Sequence, residues 1–162
     1  MSIVLRPATP EDAAEIHRLI VALATYEREP DAVEATPATL AAQLASERPP
    51  FECLLALAEG VVVGFALFFH NYSTWRGRPG LYLEDLFVEP RQRGRGIGRA
   101  LLVELVRIAV GRGCARMEWM VLAWNEPAIA FYRRLGAVQV DGWHTFRLTG
   151  AALVDLARGT GE

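Results

Sequence analysis

The sequence is short of the residue types that several kinds of chemistry need. Only two of its 162 residues are cysteine, Cys53 and Cys114, and they stand in no CxxC or metal-ligand spacing. That argues against a disulfide framework and a zinc ribbon, and for free thiols in a reducing compartment, neither placed as a nucleophile. Histidine is as scarce: His17, His70 and His144 are scattered, so no metal is expected. Long apolar runs are missing too. The longest, residues 61–69, is broken by Gly64 and is too short to span a bilayer. The opening MSIVLRPATPED has no basic stretch followed by an apolar one, so no signal peptide is expected and a cytoplasmic location is. Neither sign of charge dominates: the net charge is −2, so the surface as a whole is not built for nucleic acid. Repeats, linkers and low-complexity segments are absent, and a single domain over residues 1–162, with its core in about 3–157, is expected.

What is present is apolar material, 52% of the chain against 22% charged, enough for a full core. Residues 3–5 read as a short strand. Thr9-Pro10-Glu11-Asp12 reads as a helix start, with Ile16, Leu19, Ile20 and Leu23 on one buried face as far as Tyr26. Thr36-Pro37 opens a second helix to about Ala45. Strands are expected over 51–58 and 61–70, joined at Glu59-Gly60, a loop over 71–80, and a strand over 81–88. A helix follows over 96–112, a strand over 116–123 and a helix over 125–135. Short strands over 138–140 and 145–148 and a last helix capped by Thr149 complete the chain. The order β-α-α-β-β-β-α-β-α-β-β-α suits an α/β domain: a mixed, largely antiparallel sheet with helices on its faces.

The chain is organised around residues 81–102, LYLEDLFVEPRQRGRGIGRALL. An apolar strand carries two carboxylates, Glu84 and Asp85, and ends at Pro90. Arg91, Arg93, Arg95 and Arg99 then alternate with Gly94, Gly96 and Gly98 before a helix begins. Glycine bares the backbone, its N–H groups point outward, and the helix dipole favours negative charge, so the stretch suits a phosphorylated ligand. It is not a Walker loop, since Gly98 precedes Arg99 where lysine is required. It is not the dinucleotide fingerprint either, since position 99 is not glycine. Adjacent strand residues face opposite ways, so Glu84 and Asp85 share one pocket only if the strand bulges or splays; otherwise they are solvated edge carboxylates. A second constellation is Trp124-Asn125-Glu126-Pro127-Ala128-Ile129-Ala130-Phe131-Tyr132. Asn125 is a good N-cap and Tyr132 lies two turns on, on the same helix face, where it is either functional or a core tyrosine with a satisfied hydroxyl.

Arg93-Gly94-Arg95-Gly96-Ile97-Gly98 resembles the coenzyme loop Gln/Arg-x-x-Gly-x-Gly/Ala of the GNAT N-acetyltransferases, in the strand–loop–helix setting that motif requires. WNEPAIAFYRRLGA is similar to the matching segment of that family's spermidine/spermine branch, as are IVLRPATPEDAAEIHRLIVALATYE, YLEDLFVEP and DGWHTFRL. The resemblance implies a GNAT domain with splayed central strands and acetyl-CoA as co-substrate. It places the pyrophosphate on the backbone of Arg93 to Arg99, the pantetheine arm along Leu86, Phe87 and Val88, and further cofactor contacts at Asn125, Pro127 and Ala128. It makes Tyr132 the acid for the departing thiolate; a phenol's pKa near 10 suits that task. Glu84 becomes the base that deprotonates the amine, and Tyr26, Glu27, Trp75, Glu84, Asp85 and Glu118 the acceptor contacts. It also implies a homodimer. One departure stands out: the polyamine branch has an acid two residues before its tryptophan, and here that position, before Trp75, is Ser73. Glu118, where the family has histidine, is a compensating acid. The implied activity is acetyl transfer to a small polyamine or diamine. The alternatives are thialysine, another amino acid or a protein amine as acceptor, or a non-catalytic acetyl-CoA-binding module.

Overall fold

The computed structural model describes residues 2–159. The chain gathers into two compact units, the first ending at Leu122 and the second beginning at Ala123. The first holds β1 (Ile3–Pro7), α1 (Ala13–Tyr26), α2 (Pro37–Leu44), β2 (Glu52–Ala58), β3 (Val61–Ser73), β4 (Arg78–Val88), α3 (Ile97–Gly111) and β5 (Met117–Glu118). The strands lie in the order β1-β2-β3-β4-β5. Neighbours are antiparallel through β4, and β5 runs parallel to β4, so the sheet is mixed and mostly antiparallel as expected.

Local chemistry sets the frame. Glu59 and Gly60 both take positive φ, 52° and 83°, the combination a two-residue hairpin of matching twist requires. Thr36 Oγ1 accepts the Thr39 N–H at 3.1 Å and starts α2. A 3-10 turn, Pro10–Asp12, precedes α1. There the Asp12 carboxylate accepts the Thr9 N–H at 2.8 Å and takes both arms of the Arg6 guanidinium at 2.7 Å, which holds Asp12 down at about 2. Ile16, Leu19 and Leu40 of α1 and α2 pack on one sheet face against Cys53, Leu55, Phe65, Leu67 and Phe87. Ala66, Phe68, Leu81 and Leu83 are buried on the other face, where α3 lays down Ile97, Leu101 and Leu105. Burial pushes the Cys53 thiol up to about 12, so it stays an inert core thiol.

Two elements of this unit differ from expectation. Residues 71–80 are not a loop: β3 runs on to Ser73 and β4 starts at Arg78, pairing Ser73 with Arg78 and Asn71 with Gly80. The turn is closed by the Gly77 N–H to the Ser73 carbonyl at 2.8 Å and the Arg76 N–H to Ser73 Oγ at 3.2 Å. The expected strand over 116–123 is paired only at Met117 and Glu118, since β5 leaves β4 after Tyr82.

In the second unit α4 (Glu126–Arg134) and α5 (Gly150–Ala157) form as expected, but neither 138–140 nor 145–148 is a strand. Thr149 is extended at φ −142° and its side chain makes no cap bond to α5. No described helix is long and apolar enough to cross a membrane.

Candidate active site

β4 carries one residue more than β3 opposite it. Leu67 pairs with Asp85 and Phe68 with Leu83, which leaves Glu84 as the bulged residue. The bulge reverses the side-chain parity of the strand. Leu83 faces the α3 side, whereas Asp85 and Phe87 face the α1 side. Glu84 stays exposed and Asp85 is half-buried. Burial, followed by the charges of Glu84 and Glu27, pushes Asp85 up to about 6. Glu27, the residue after α1, is also raised by burial. The two neighbouring acids of β4 and the acid at the end of α1 thus interact, and together they favour a cationic group. Arg28 turns the chain there in the left-handed region, φ 68°, a conformation usually left to glycine.

The fork between β4 and β5 lies just before the bulge. Tyr82 is opposite Glu118, and beyond this pair no strand among the described residues covers that edge of β4. The Glu89 N–H bonds across to the Val63 carbonyl on β3 at 2.9 Å. Alternation therefore turns the backbone groups of Leu86 and Val88 to the open edge, while those of Phe87 face β3. Of the three residues expected to pair with a pantetheine arm, two offer their backbone and the third lies in the core. The Tyr82 phenol is raised by burial and by Glu84 and Glu118, which places both acids within its electrostatic reach. Glu118 does not stand as a bare acid. Arg116 Nε lies 2.7 Å from its carboxylate, and the same guanidinium reaches Ser73 Oγ at 3.4 Å.

After β4 a 3-10 turn, Pro90–Gln92, leads into the glycine loop. Gly94 and Gly96 have φ of 77° and 80°, and a Cβ at either would meet nothing within 4 Å, so glycine is needed there for backbone freedom. Gly98 is helical and has no such need. Gly96 caps α3 without a side chain, so no N-cap side chain covers the first N–H groups of the helix. Arg91, Arg93, Arg95 and Arg99 are exposed around it. A bare helix N-terminus, two left-handed glycines, four guanidiniums and an open strand edge fit an elongated ligand with amides and a pyrophosphate. Arg93 joins this loop to the end of α1: its Nε donates to the Val88 carbonyl at 3.0 Å, and its guanidinium lies 4.7 Å from the Tyr26 ring centre and 5.4 Å from that of Phe87. A cavity of about 400 Å³ lined by Ala22, Phe87, Glu89, Pro90 and Arg91 adjoins the start of the loop.

In the second unit Asn125 Oδ1 accepts the Ala128 N–H at 3.4 Å, with Pro127 in the first turn, so the expected N-cap is formed. The Tyr132 ring lies 5.3 Å from that of Phe131. Trp75 sits in the hairpin turn, 89% exposed. From Arg78 at the turn to Glu84 the strand rises roughly 20 Å, so Trp75 is remote from the acids along β4. Among the described residues no group of His, Cys, Asp or Glu is arranged to hold a metal ion. The side chain that sequence reasoning missed is Arg116. Its position two before Glu118, on the same face of an extended segment, was the available signal.

The family described as acetyltransferase (GNAT) family matches residues 13–137. The chain is 39% identical to a thialysine N-epsilon-acetyltransferase of Bos taurus, over 96% of this chain and 97% of that protein. It is 34% identical to an L-ornithine N5-acetyltransferase of Arabidopsis thaliana, over 92% and 85% of the two chains. Among solved structures, an integron cassette protein from the mobile metagenome of V. cholerae superposes with a TM-score of 0.82 at 27% identity, over 98% and 99% of the chains.

Proposed function

Because the chain belongs to the acetyltransferase (GNAT) family, we propose that it transfers the acetyl group of acetyl-CoA to the primary amine of a small diamine- or polyamine-like acceptor by direct attack. The observation that carries this reading is the corner formed by Glu84, Asp85 and Glu27 at the bulge of β4, one strand edge away from the glycine loop. Acetyl-CoA supplies the thioester. The backbone from Arg93 to Arg99, with the guanidiniums around it, holds the pyrophosphate, and Leu86 and Val88 pair with the pantetheine amides. Asn125, Pro127 and Ala128 add contacts at the start of α4. Tyr26, Glu27 and Asp85 receive the acceptor; Trp75, remote along β4 in the hairpin turn, is assigned no contact. A primary amine is protonated at neutral pH, and Glu84, exposed at the bulge, takes that proton directly or through one water. Tyr132 is assigned the proton for the departing thiolate on the strength of its motif. The resemblance further supports a homodimer working in the cytoplasm.

A second acceptor class has its own support: Glu118 is ion-paired and Ser73 stands where the polyamine branch has an acid, and relatives act on thialysine and ornithine. Amino acids with a side-chain amine therefore belong to the reading. The test is a kinetic pair. Tyr132→Phe is expected to lower kcat about a hundredfold or more while leaving coenzyme A affinity within twofold, as removal of a general acid does. Unchanged turnover would take Tyr132 out of the mechanism.

A further inference from the structure

Alternation puts Arg116, Glu118, Tyr82 and Ser73 on one face of the sheet, the face onto which the bulge turns Asp85. Along this face the charges run in order. Asp85 and Glu27 stand at one end with Glu84 at the bulge, Glu118 stands opposite Tyr82, and beyond Glu118 lies Arg116 against Ser73. Arg116 is fixed at both levels. Its carbonyl accepts the Leu81 N–H at 3.0 Å, the preceding Ala115 N–H donates to the Pro79 carbonyl at 2.8 Å, and its guanidinium is held by Glu118 and Ser73. A cation is therefore built into the distal end of the acceptor face. It is paired with the Glu118 carboxylate, and Ser73 on its other side adds no charge.

We propose that Arg116 is a specificity-determining residue that limits the acceptor's length and charge. An acceptor whose reacting amine sits at Glu84 and Asp85 meets favourable charge nearby, but a chain long enough to carry another ammonium past Glu118 meets a fixed guanidinium. Short diamines and amino acids with a side-chain amine pass this filter, and spermidine and spermine do not. The inference rests on the acetyltransferase reading and narrows its substrate.

The test is the ratio of kcat/KM for ornithine or putrescine to that for spermine, read from thiol release. The wild type is expected to favour the short amines at least tenfold. Arg116→Glu, which replaces a positive charge with a negative one at the half-exposed distal end, is expected to move the ratio toward spermine about tenfold or more, chiefly through the KM of spermine. Arg116→Gln should fall between, and Arg116→Lys, which keeps the charge, should keep the preference. A merely structural role would lower all rates together and leave the ratio fixed. A wild-type preference for spermine, or a ratio that stays within twofold across the variants while transfer continues, overturns the inference alone. Transfer to none of the amines overturns the acetyltransferase reading as well.

Discussion

Asp85 is the residue whose protonation most clearly ties the site to stability. Its carboxyl titrates at about 6 in the folded chain against an ordinary 3.8, so the folded state binds the proton more tightly than the unfolded chain does. The stability linked to this group is complete below about pH 4 and is lost as the pH rises through 6. Asp85→Asn cannot ionise, so it should match the wild type near pH 4 and exceed it by about 2 kcal/mol at pH 8. Urea unfolding at the two pH values checks this, and an equal difference at both would contradict it. Arg93 is the second residue of consequence, since one guanidinium touches the Tyr26 ring, the Phe87 ring and the Val88 carbonyl. Tyr26→Leu should weaken coenzyme A binding several-fold in the wild type and have little effect once Arg93 is alanine, a coupling that calorimetry on the four proteins of the cycle would measure. Independent, additive effects would separate the two. The strand and loop pattern singled out Glu84, Asp85 and Arg93, and the family resemblance singled out Tyr26. Neither revealed the contacts between them, because an Arg93–Tyr26 contact spans 67 positions and leaves no local pattern.

At the scale of elements, β3 and β4 decide the geometry, and Gly64 shows how tightly. A Cβ on Gly64 would stand 2.9 Å from the Phe87 carbonyl oxygen and 3.3 Å from Val88 Cγ2, so the backbone of β4 itself would have to yield. Gly64→Ala should cost about 1–3 kcal/mol by overpacking and should weaken coenzyme A binding, because Val88 lies on the open edge. Thermal unfolding together with binding measures both, and a neutral variant would show that β4 is more compliant than its packing indicates. The same two strands mark the limit of sequence reasoning. Their buried halves are near-continuous apolar runs between turn signals and were readable. The ribbon from Asn71 to Gly80 is polar and rich in turn residues, so hydrophobic periodicity is silent about it although its ladder is continuous. β5 failed in the opposite sense: residues 117–123 are apolar enough for a long strand, but the strand parts from β4 after two pairs. The bulge at Glu84 was one of two ways to bring the acids together, and only the register with β3 identifies it.

For the molecule as a whole, the family, the mixed sheet and the coenzyme loop agree with one another, and the acceptor is where the chain departs from a polyamine pattern. None of its 17 basic residues is lysine. The chain thus offers acetyl-CoA no ε-amino group of its own, and its intact mass should gain no lysine acetylation during long incubation with the co-substrate. The same absence leaves the background of any transfer assay free of self-modification at lysine. Thiol release from acetyl-CoA, followed alongside mass analysis of the amine across ornithine, thialysine, putrescine, spermidine, spermine and a peptide, is therefore the most direct measurement of the central claim. One thiol released per amine acetylated, with the short amines ahead, is the result predicted. Coenzyme A binding without thiol release on any amine, or transfer confined to the peptide, would contradict it.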